Sequence, residues 1–307
     1  MSELHVSCIG NVTQDKLLHI DSIPELDDVA YVNGSIECMG GRGAIVALAL
    51  GRLGVSTSLI TSMSNDSVAR DYLELLQENN VDISSVAIDS NAESLFKVIV
   101  AISKEQENCI SFFEPSNINF SATPSQLDTV NDSDIVYFST HKRSFNETIL
   151  SSIKNDSAKV IHNISSYFLQ SKEYVSLMLD RSNILIGNEL EMRALLESTN
   201  CSSPQDLFNY SPNLETIYAT QGDAGSCIYS KDSTPHFVEA QDSESVSPVG
   251  AGDAYAAGVI YGIANGWSNI RCAEFASKVA SISVESVTSY PDLDALDRLI
   301  EDTGGEL

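Results

Sequence analysis

From Ala254 to Ala264 the sequence reads Ala-Tyr-Ala-Ala-Gly-Val-Ile-Tyr-Gly-Ile-Ala, with no charged side chain at any position. A helix of that composition is apolar on nearly every face, and such a helix must be buried. Its first turn is therefore an internal point of the fold and not a solvated rim. The residues before it are Gly250-Ala-Gly-Asp253. Glycine at 250 and 252 lets the backbone bend tightly and leaves its N–H groups uncovered. N–H groups at a helix start lack intrahelical partners, and the helix dipole there favours negative charge, so an anion is attracted. A carboxylate on that turn, Asp253, could take the proton of an attacking hydroxyl while the N–H groups hold a transferring phosphoryl group. Taken alone, the four residues read equally well as a glycine turn followed by a first-turn helix acid.

A buried helix needs a sheet to cover it, and the chain supplies one. Residues 4–10 read as a short strand ending in glycine, and Gly40-Gly-Arg-Gly43 as a glycine-rich loop feeding a second buried helix. A strand at 55–61 and a helix at 67–79 follow. Further strands are expected at 134–138, 159–163, 183–186, 216–220 and 225–229, with helices near 145–153, 172–179 and 189–197. Helices at 251–264, 268–284 and 291–301 close the chain. This alternation implies an α/β fold, a mainly parallel sheet with helices on both faces. Two β-only regions break it: 17–20 with 29–36, and 95–102 with 108–113. They predict a small separate β-sheet, a lid drawn from about 12–38 and 93–115, on a single domain spanning 1–307.

Charge narrows the partners. With 43 acidic residues against 17 basic ones, the net charge is −26. Such a surface repels phosphate backbones and anionic lipid, so neither nucleic acid nor membrane is an expected partner. A bound polyphosphate would have to be held by local devices against the global field. The six cysteines include no C-x-x-C pair and no histidine at zinc-finger spacing, which reads as free thiols in a reducing cytosol. No apolar run reaches the length of a membrane span, and no secretory signal is expected at the N-terminus. The expectation is a cytoplasmic protein. A G-x-x-x-x-G-K-[ST] loop, a complete dinucleotide fingerprint, a G-x-S-x-G elbow and an H-E-x-x-H pair are all absent from the sequence.

The segment from Ser247 to Ile260 resembles the C-terminal signature of the ribokinase-like (PfkB) family of carbohydrate and nucleoside kinases. Other matches follow in order along nearly the whole chain. Gly40-Gly-Arg-Gly-Ala with Leu50-Gly-Arg-Leu-Gly54 resembles the N-terminal signature. Asn188-Glu-Leu-Glu191 resembles the N-x-x-E motif, and Thr220-Gln-Gly222 with Gly225 resembles the T-x-G nucleotide segment. The stretches at 109–113, 216–232 and 267–285 lean toward the adenosine- and nucleoside-kinase-like branch.

The resemblance implies a kinase that uses ATP and Mg2+ to phosphorylate a small sugar or nucleoside. Asp253 would be the catalytic base, with Gly250, Ala251 and Gly252 as the anion hole. Asn188 and Glu191 would organise magnesium through its waters. Thr220, Gly222, Gly225, Ser277 and Ser281 would lie along the nucleotide. Asn11, Asp15, Gly40, Gly41, Arg42 and Ile45 would form the acceptor side, and lid sheets would offer a route to a homodimer.

Two departures accompany these matches. Ile45 stands where the family usually has an asparagine that contacts acceptor hydroxyls, and isoleucine makes no such bond. Ser247-Pro-Val249 stands where an Asp-Thr-Thr run is common, and Thr288 where a glycine is, so a monovalent-cation site is doubtful. They motivate a competing expectation, a catalytically silent member that binds ligands or regulates.

Overall fold

The computed structural model describes residues 4–102, 108–114, 116–139, 142–244 and 246–303. Its strands, in chain order, are β1 (His5–Ile9), β2 (Thr13–Ile20), β3 (Gly34–Gly40), β4 (Ser56–Ser64), β5 (Val81–Asp82), β6 (Val86–Asp89) and β7 (Phe96–Ile102). They continue with β8 (Asn108–Phe113), β9 (Ile135–Phe138), β10 (Lys159–Asn163), β11 (Ile184–Asn188), β12 (Thr216–Thr220), β13 (Gly225–Ser230) and β14 (His236–Glu239). The helices are α1 (Arg42–Arg52), α2 (Ser67–Glu78), α3 (Pro124–Asn131), α4 (Arg143–Ser152) and α5 (Lys172–Arg181). After these come α6 (Glu189–Thr199), α7 (Leu207–Tyr210), α8 (Ala251–Ala264), α9 (Asn269–Val284) and α10 (Leu293–Thr303).

The main sheet runs β14-β13-β12-β11-β10-β9-β1-β4-β5, with β6 also paired to β4. From β12 across to β5 every pairing is parallel, while β12–β13 and β13–β14 at the other edge are antiparallel. Parallel strands need both faces covered, and the side-chain alternation shows how. In β9, Ile135 and Tyr137 join the core under α1, α8 and α9, while Val136 and Phe138 join the core under α4 and α5. Helix α8 is buried from Ala254 to Gly262, as its composition requires. It packs closely on α9, where a Cβ at Gly258 would stand 2.5 Å from the Ala276 backbone.

The second sheet has the order β3-β2-β7-β8, parallel between β2 and β7 and antiparallel elsewhere. Leu17, Cys38 and Ile99 on one of its faces pack with Val249 and Tyr290. That contact seats the lid sheet directly above the approach to α8. Residues 103–107 and 115 of the expected lid range lie outside the described residues, as do residues 1–3 of the N-terminal segment.

One strand differs from expectation. Residues 29–33 are not strand; β3 begins at Gly34, and Val29 and Tyr31 are 73% and 86% exposed in the preceding connection. The β-favouring side chains there have no neighbouring strand to pair with, and propensity without a partner does not make a strand. Helix α3 was absent from the expectation although Thr123-Pro-Ser-Gln126 announces it. Pro124 opens the helix and Thr123 and Gln126 form a reciprocal capping box.

Candidate active site

In doubly wound sheets, ligands bind beyond the carboxyl ends of the strands where the strand order reverses. Here the reversal is at β1, which is flanked by β4 on one side and β9 on the other. Asn11 follows β1, Asn188 ends β11 and Thr220 ends β12, so these sequence-predicted residues collect along that edge, as does Asn163 at the end of β10.

Helix α8 aims its first turn at the same edge. Gly250 is its N-cap in the left-handed region, φ 85°, and a Cβ there would stand 2.0 Å from the Ser289 carbonyl oxygen. Only glycine fits that backbone and that gap. Gly252 is exposed, and a Cβ on it would meet nothing within 4 Å, so the turn opens onto free space. Asp253 keeps some accessible surface on the cleft side, yet burial pushes its carboxyl up to about 6. Arg42 and Lys97 act against that rise, while Glu191 and Asp15 add to it. Gly250→Ala should therefore cost about 1–2 kcal/mol in backbone strain. It should also displace the turn enough to lower kcat on the order of 10²-fold. Melting and steady-state kinetics on that variant measure both, and unchanged kcat would show that the turn does not position the reaction.

A cavity of about 740 Å³ lies against this turn. Ala251 and Gly252 line it from α8, Thr220, Gly222 and Gly225 from the β12–β13 turn, and Ser277 and Ser281 from α9. The Ser277 hydroxyl accepts from the Gln241 N–H at 2.8 Å and so fixes the loop that forms the cavity's outer wall. Among the described residues no lysine or arginine lines the cavity, whose charged residues are Asp223 and Asp242.

Asn188 and Glu191 cap α6 reciprocally: the Glu191 N–H donates to Asn188 Oδ1 at 2.9 Å, and the Asn188 N–H donates to Glu191 Oε2 at 3.1 Å. Glu191 is 8% exposed, and its Oε1 takes the Arg42 guanidinium at 3.0 Å. A carboxylate offers about four lone-pair sites, so Glu191 has capacity left for a metal-bound water. Among the described residues no cluster of three or more His, Cys, Asp or Glu could form an inner metal shell. The pair fits a magnesium ion held through its waters.

On the acceptor side, Asn11 Oδ1 is buried with no hydrogen-bond partner among the described residues. The Asn11 carbonyl accepts from Ala44 N at 3.3 Å beside Gly41, the N-cap of α1. Asp15 is 0% exposed and occupies the space beside Gly40. It accepts from Thr13 Oγ1 at 2.5 Å and Ser289 Oγ at 3.0 Å, and pairs with Lys97 Nζ at 2.8 Å. Ile45 is 2% exposed and presents almost no surface to a ligand. Ser247 is fully buried and accepts from the Val249 N–H at 3.4 Å, and the Thr288 hydroxyl donates to the Tyr290 carbonyl at 2.8 Å. Hydroxyls thus occupy the positions where the resemblance would place a cation site.

Lys97 is the site residue the sequence reading missed. Pairing across β3, β2, β7 and β8 puts Cys38, Asp15, Lys97 and Phe113 in one row on one face of the lid. Lys97 also lies 5.6 Å from the Phe113 ring centroid. Its signal was present: it is the single charge within Leu95-Phe-Lys-Val-Ile-Val-Ala-Ile102, and a lysine inside an apolar strand is seldom buried without a partner.

Comparison with known proteins identifies the family and the fold. Residues 4–296 match the model of the pfkB family carbohydrate kinases. A nucleoside kinase of Methanothermobacter thermautotrophicus is 27% identical over 92% of this chain and 91% of its own. A 5-dehydro-2-deoxygluconokinase of Geobacillus thermodenitrificans is 24% identical over 86% of this chain and 84% of its own. The crystal structure of the Methanocaldococcus jannaschii nucleoside kinase, an archaeal member of the ribokinase family, has a TM-score of 0.78 at 21% identity. It covers 97% of this chain and 98% of its own and so shares the fold. Among the described residues no helix is long and apolar enough to cross a membrane. With a ribokinase-like fold, its lid sheet and a family match over almost its whole length, the chain belongs to the pfkB family of carbohydrate kinases and is a sugar or nucleoside kinase.

Proposed function

We propose that the enzyme transfers the γ-phosphoryl group of ATP to a hydroxyl of a nucleoside, with Asp253 as general base. The observation that carries this reading is the first turn of α8. A carboxyl held near pH 6 stands there between a nucleotide-sized cavity and the row of polar lid residues. In the reaction the acceptor oxygen bonds to the γ-phosphorus and its proton passes to the Asp253 carboxylate. The bond from that phosphorus to the bridging oxygen breaks, and its electron pair leaves with ADP. N–H groups at the start of α8 hold the charged group in transit. Asn11, whose side-chain oxygen has no partner among the described residues, would accept from an acceptor hydroxyl. Magnesium, when bound, would supply further charge neutralisation on the phosphates.

Two features favour a nucleoside over a simple sugar. Phe113 is 56% exposed and shares its lid face with Asp15 and Lys97, offering a ring to a planar base. Phe96 and Phe112 alternate onto the opposite face and make no such offer. The Methanothermobacter relative, the more similar of the two sequence relatives above, is also named a nucleoside kinase.

An ADP-release assay over nucleosides, pentoses, hexoses and sugar acids tests the reading. Turnover on nucleosides with little on free sugars is the expected result. Turnover on sugars or sugar acids alone would replace the acceptor assignment. Silence on every acceptor, with ATP still bound, would favour the non-catalytic alternative that Ile45 and Ser247 motivate.

A further inference from the structure

A second cavity, of about 430 Å³, lies at the opposite end of the main sheet, beyond the last turn of α8. Lys159 and Thr216 reach it from the starts of β10 and β12, Ser230 and Lys231 from the end of β13, and Trp267 from the α8–α9 turn. Helix α8 has 14 residues, so this cavity and the Asp253 turn stand about 20 Å apart along it. The floor is built around Asn269, whose orientation the buried Tyr218 sets by donating to Asn269 Oδ1 at 3.3 Å. The amide N–H groups therefore point to Thr216 Oγ1 at 2.9 Å and Ser230 Oγ at 3.0 Å. Both hydroxyls accept there, so each keeps its own hydrogen, with no acceptor for it among the described residues. At the rim, Lys159 holds Glu215 at 2.8 Å and Lys231 holds the Pro212 carbonyl at 3.0 Å. An ammonium has three N–H groups, so each lysine has donors to spare. Among the lining residues two cations face one carboxylate, in a chain with 17 cationic residues to 43 acidic ones. Ile184, Ile263 and Trp267 supply an apolar wall. Arg271 lies 4.2 Å from the Trp267 ring centroid, and Tyr261 and Phe275 meet that ring edge-on, so the wall is set before any ligand arrives. A Cβ on Gly266 would meet nothing within 4 Å, which leaves the rim open.

We propose that this cavity is a second ligand site, which takes a small organic oxyanion: a carboxylate or phosphate ester carried on a flat apolar body. The oxyanion sits among the Thr216 and Ser230 hydroxyls and the two ammonium groups, where every hydrogen bond to it is charge-assisted. The flat body lies along Trp267, Ile184 and Ile263. The volume falls within the range of about 300–1,000 Å³ usual for small-molecule sites. Binding here uses neither Asp253 nor the cavity beside Gly252, so the proposal stands apart from the kinase reading.

Trp267 is the chain's single tryptophan and lines the cavity, so its fluorescence reads occupancy directly. The full chain is titrated at fixed ionic strength with phenyl phosphate, benzoate, neutral benzamide and inorganic phosphate, and calorimetry gives a second readout. Phenyl phosphate or benzoate should perturb Trp267 saturably, and the tighter of the two identifies the head group. Benzamide lacks the charge and inorganic phosphate lacks the ring, so each should bind at least about tenfold more weakly. Lys231→Met should weaken the better probe by about tenfold. Ser230→Asp keeps an acceptor for Asn269 but sets a carboxylate on the floor, and should abolish binding. Melting at the wild-type temperature shows that each variant is folded; if Ser230→Asp is not, the double variant of Lys159→Met and Lys231→Met takes its place with the same loss expected. A flat titration with every probe, benzamide or inorganic phosphate binding as tightly as the charged ring compounds, or unchanged affinity in the folded variants would overturn the proposal. Displacement of the probe by ADP would also overturn it, by putting the probe in the cavity beside Gly252.

Discussion

Replacing Asp253 by Asn is expected to lower kcat by about 10²–10⁴-fold, the range a positioned general base contributes, while ADP binding stays intact. The amide is nearly the same size and keeps the first turn of α8 in place, so what is lost is the proton acceptor. Wild-type activity should show the same group in its pH dependence. The base must be ionised to work, and burial holds its carboxyl near 6. Below that pH, kcat/KM should fall by about tenfold per unit, and the residual activity of Asp253→Asn should show no such limb. Stability should move the other way. The folded-state pKa lies above the ordinary aspartate value of 3.8, so the folded protein holds this proton more tightly than the unfolded chain. From this group alone, stability is greatest below the unfolded value and declines as pH rises through the folded one. At neutral pH the variant escapes that penalty and should melt higher than the wild type. Lower turnover with a higher melting temperature marks a residue kept for function against the fold's preference; lower turnover with a lower melting temperature would make Asp253 a structural acid.

Much of this architecture is legible in the sequence because its signals are local. The bounds of α8 and of β10 and β12 coincide with the residues whose composition announces them. Gly250-Ala-Gly-Asp253 is local as well, since the glycines, the acid and the apolar helix behind them are contiguous. Asn188 and Glu191 are three residues apart, the spacing of a capping box, and so cap α6 whatever else they hold. The exposure of that glutamate was not legible. On spacing alone Glu191 reads as a surface acid, whereas Arg42, 149 positions away, draws it inward. The same limit hid the partners of Asp15. Ser289 is 274 positions distant and carries no mark in its own neighbourhood, and Lys97 meets Asp15 only because β2 and β7 pair in one particular register. Patterning fixes which face a residue occupies, but which residue stands opposite depends on register, and register is a property of two segments together.

That register makes Lys97→Met the strongest test of the lid. Asp15 is 0% exposed, and among the described residues its carboxylate rests on one ionic partner, Lys97, 13% exposed, with neutral hydroxyls from Thr13 and Ser289. Removing one member of a buried pair leaves the other charged and unpaired, at a typical cost of about 3–5 kcal/mol. The site of the loss matters for the measurement. The single tryptophan, Trp267, packs with Tyr261 and Phe275 beyond the far end of α8, so its fluorescence is blind to a lid that opens by itself. Amide exchange in β2 and β7 reports the lid directly, because local opening exposes those N–H groups without global unfolding. Faster exchange there, with α8 and α9 still protected, is the expected result. Adding Asp15→Asn to Lys97→Met should restore part of the protection, since a neutral amide needs no cation. Exchange in β2 and β7 at the wild-type rate in Lys97→Met would show that Thr13 and Ser289 suffice for Asp15, and that Lys97 is not what holds the lid sheet over the approach to α8.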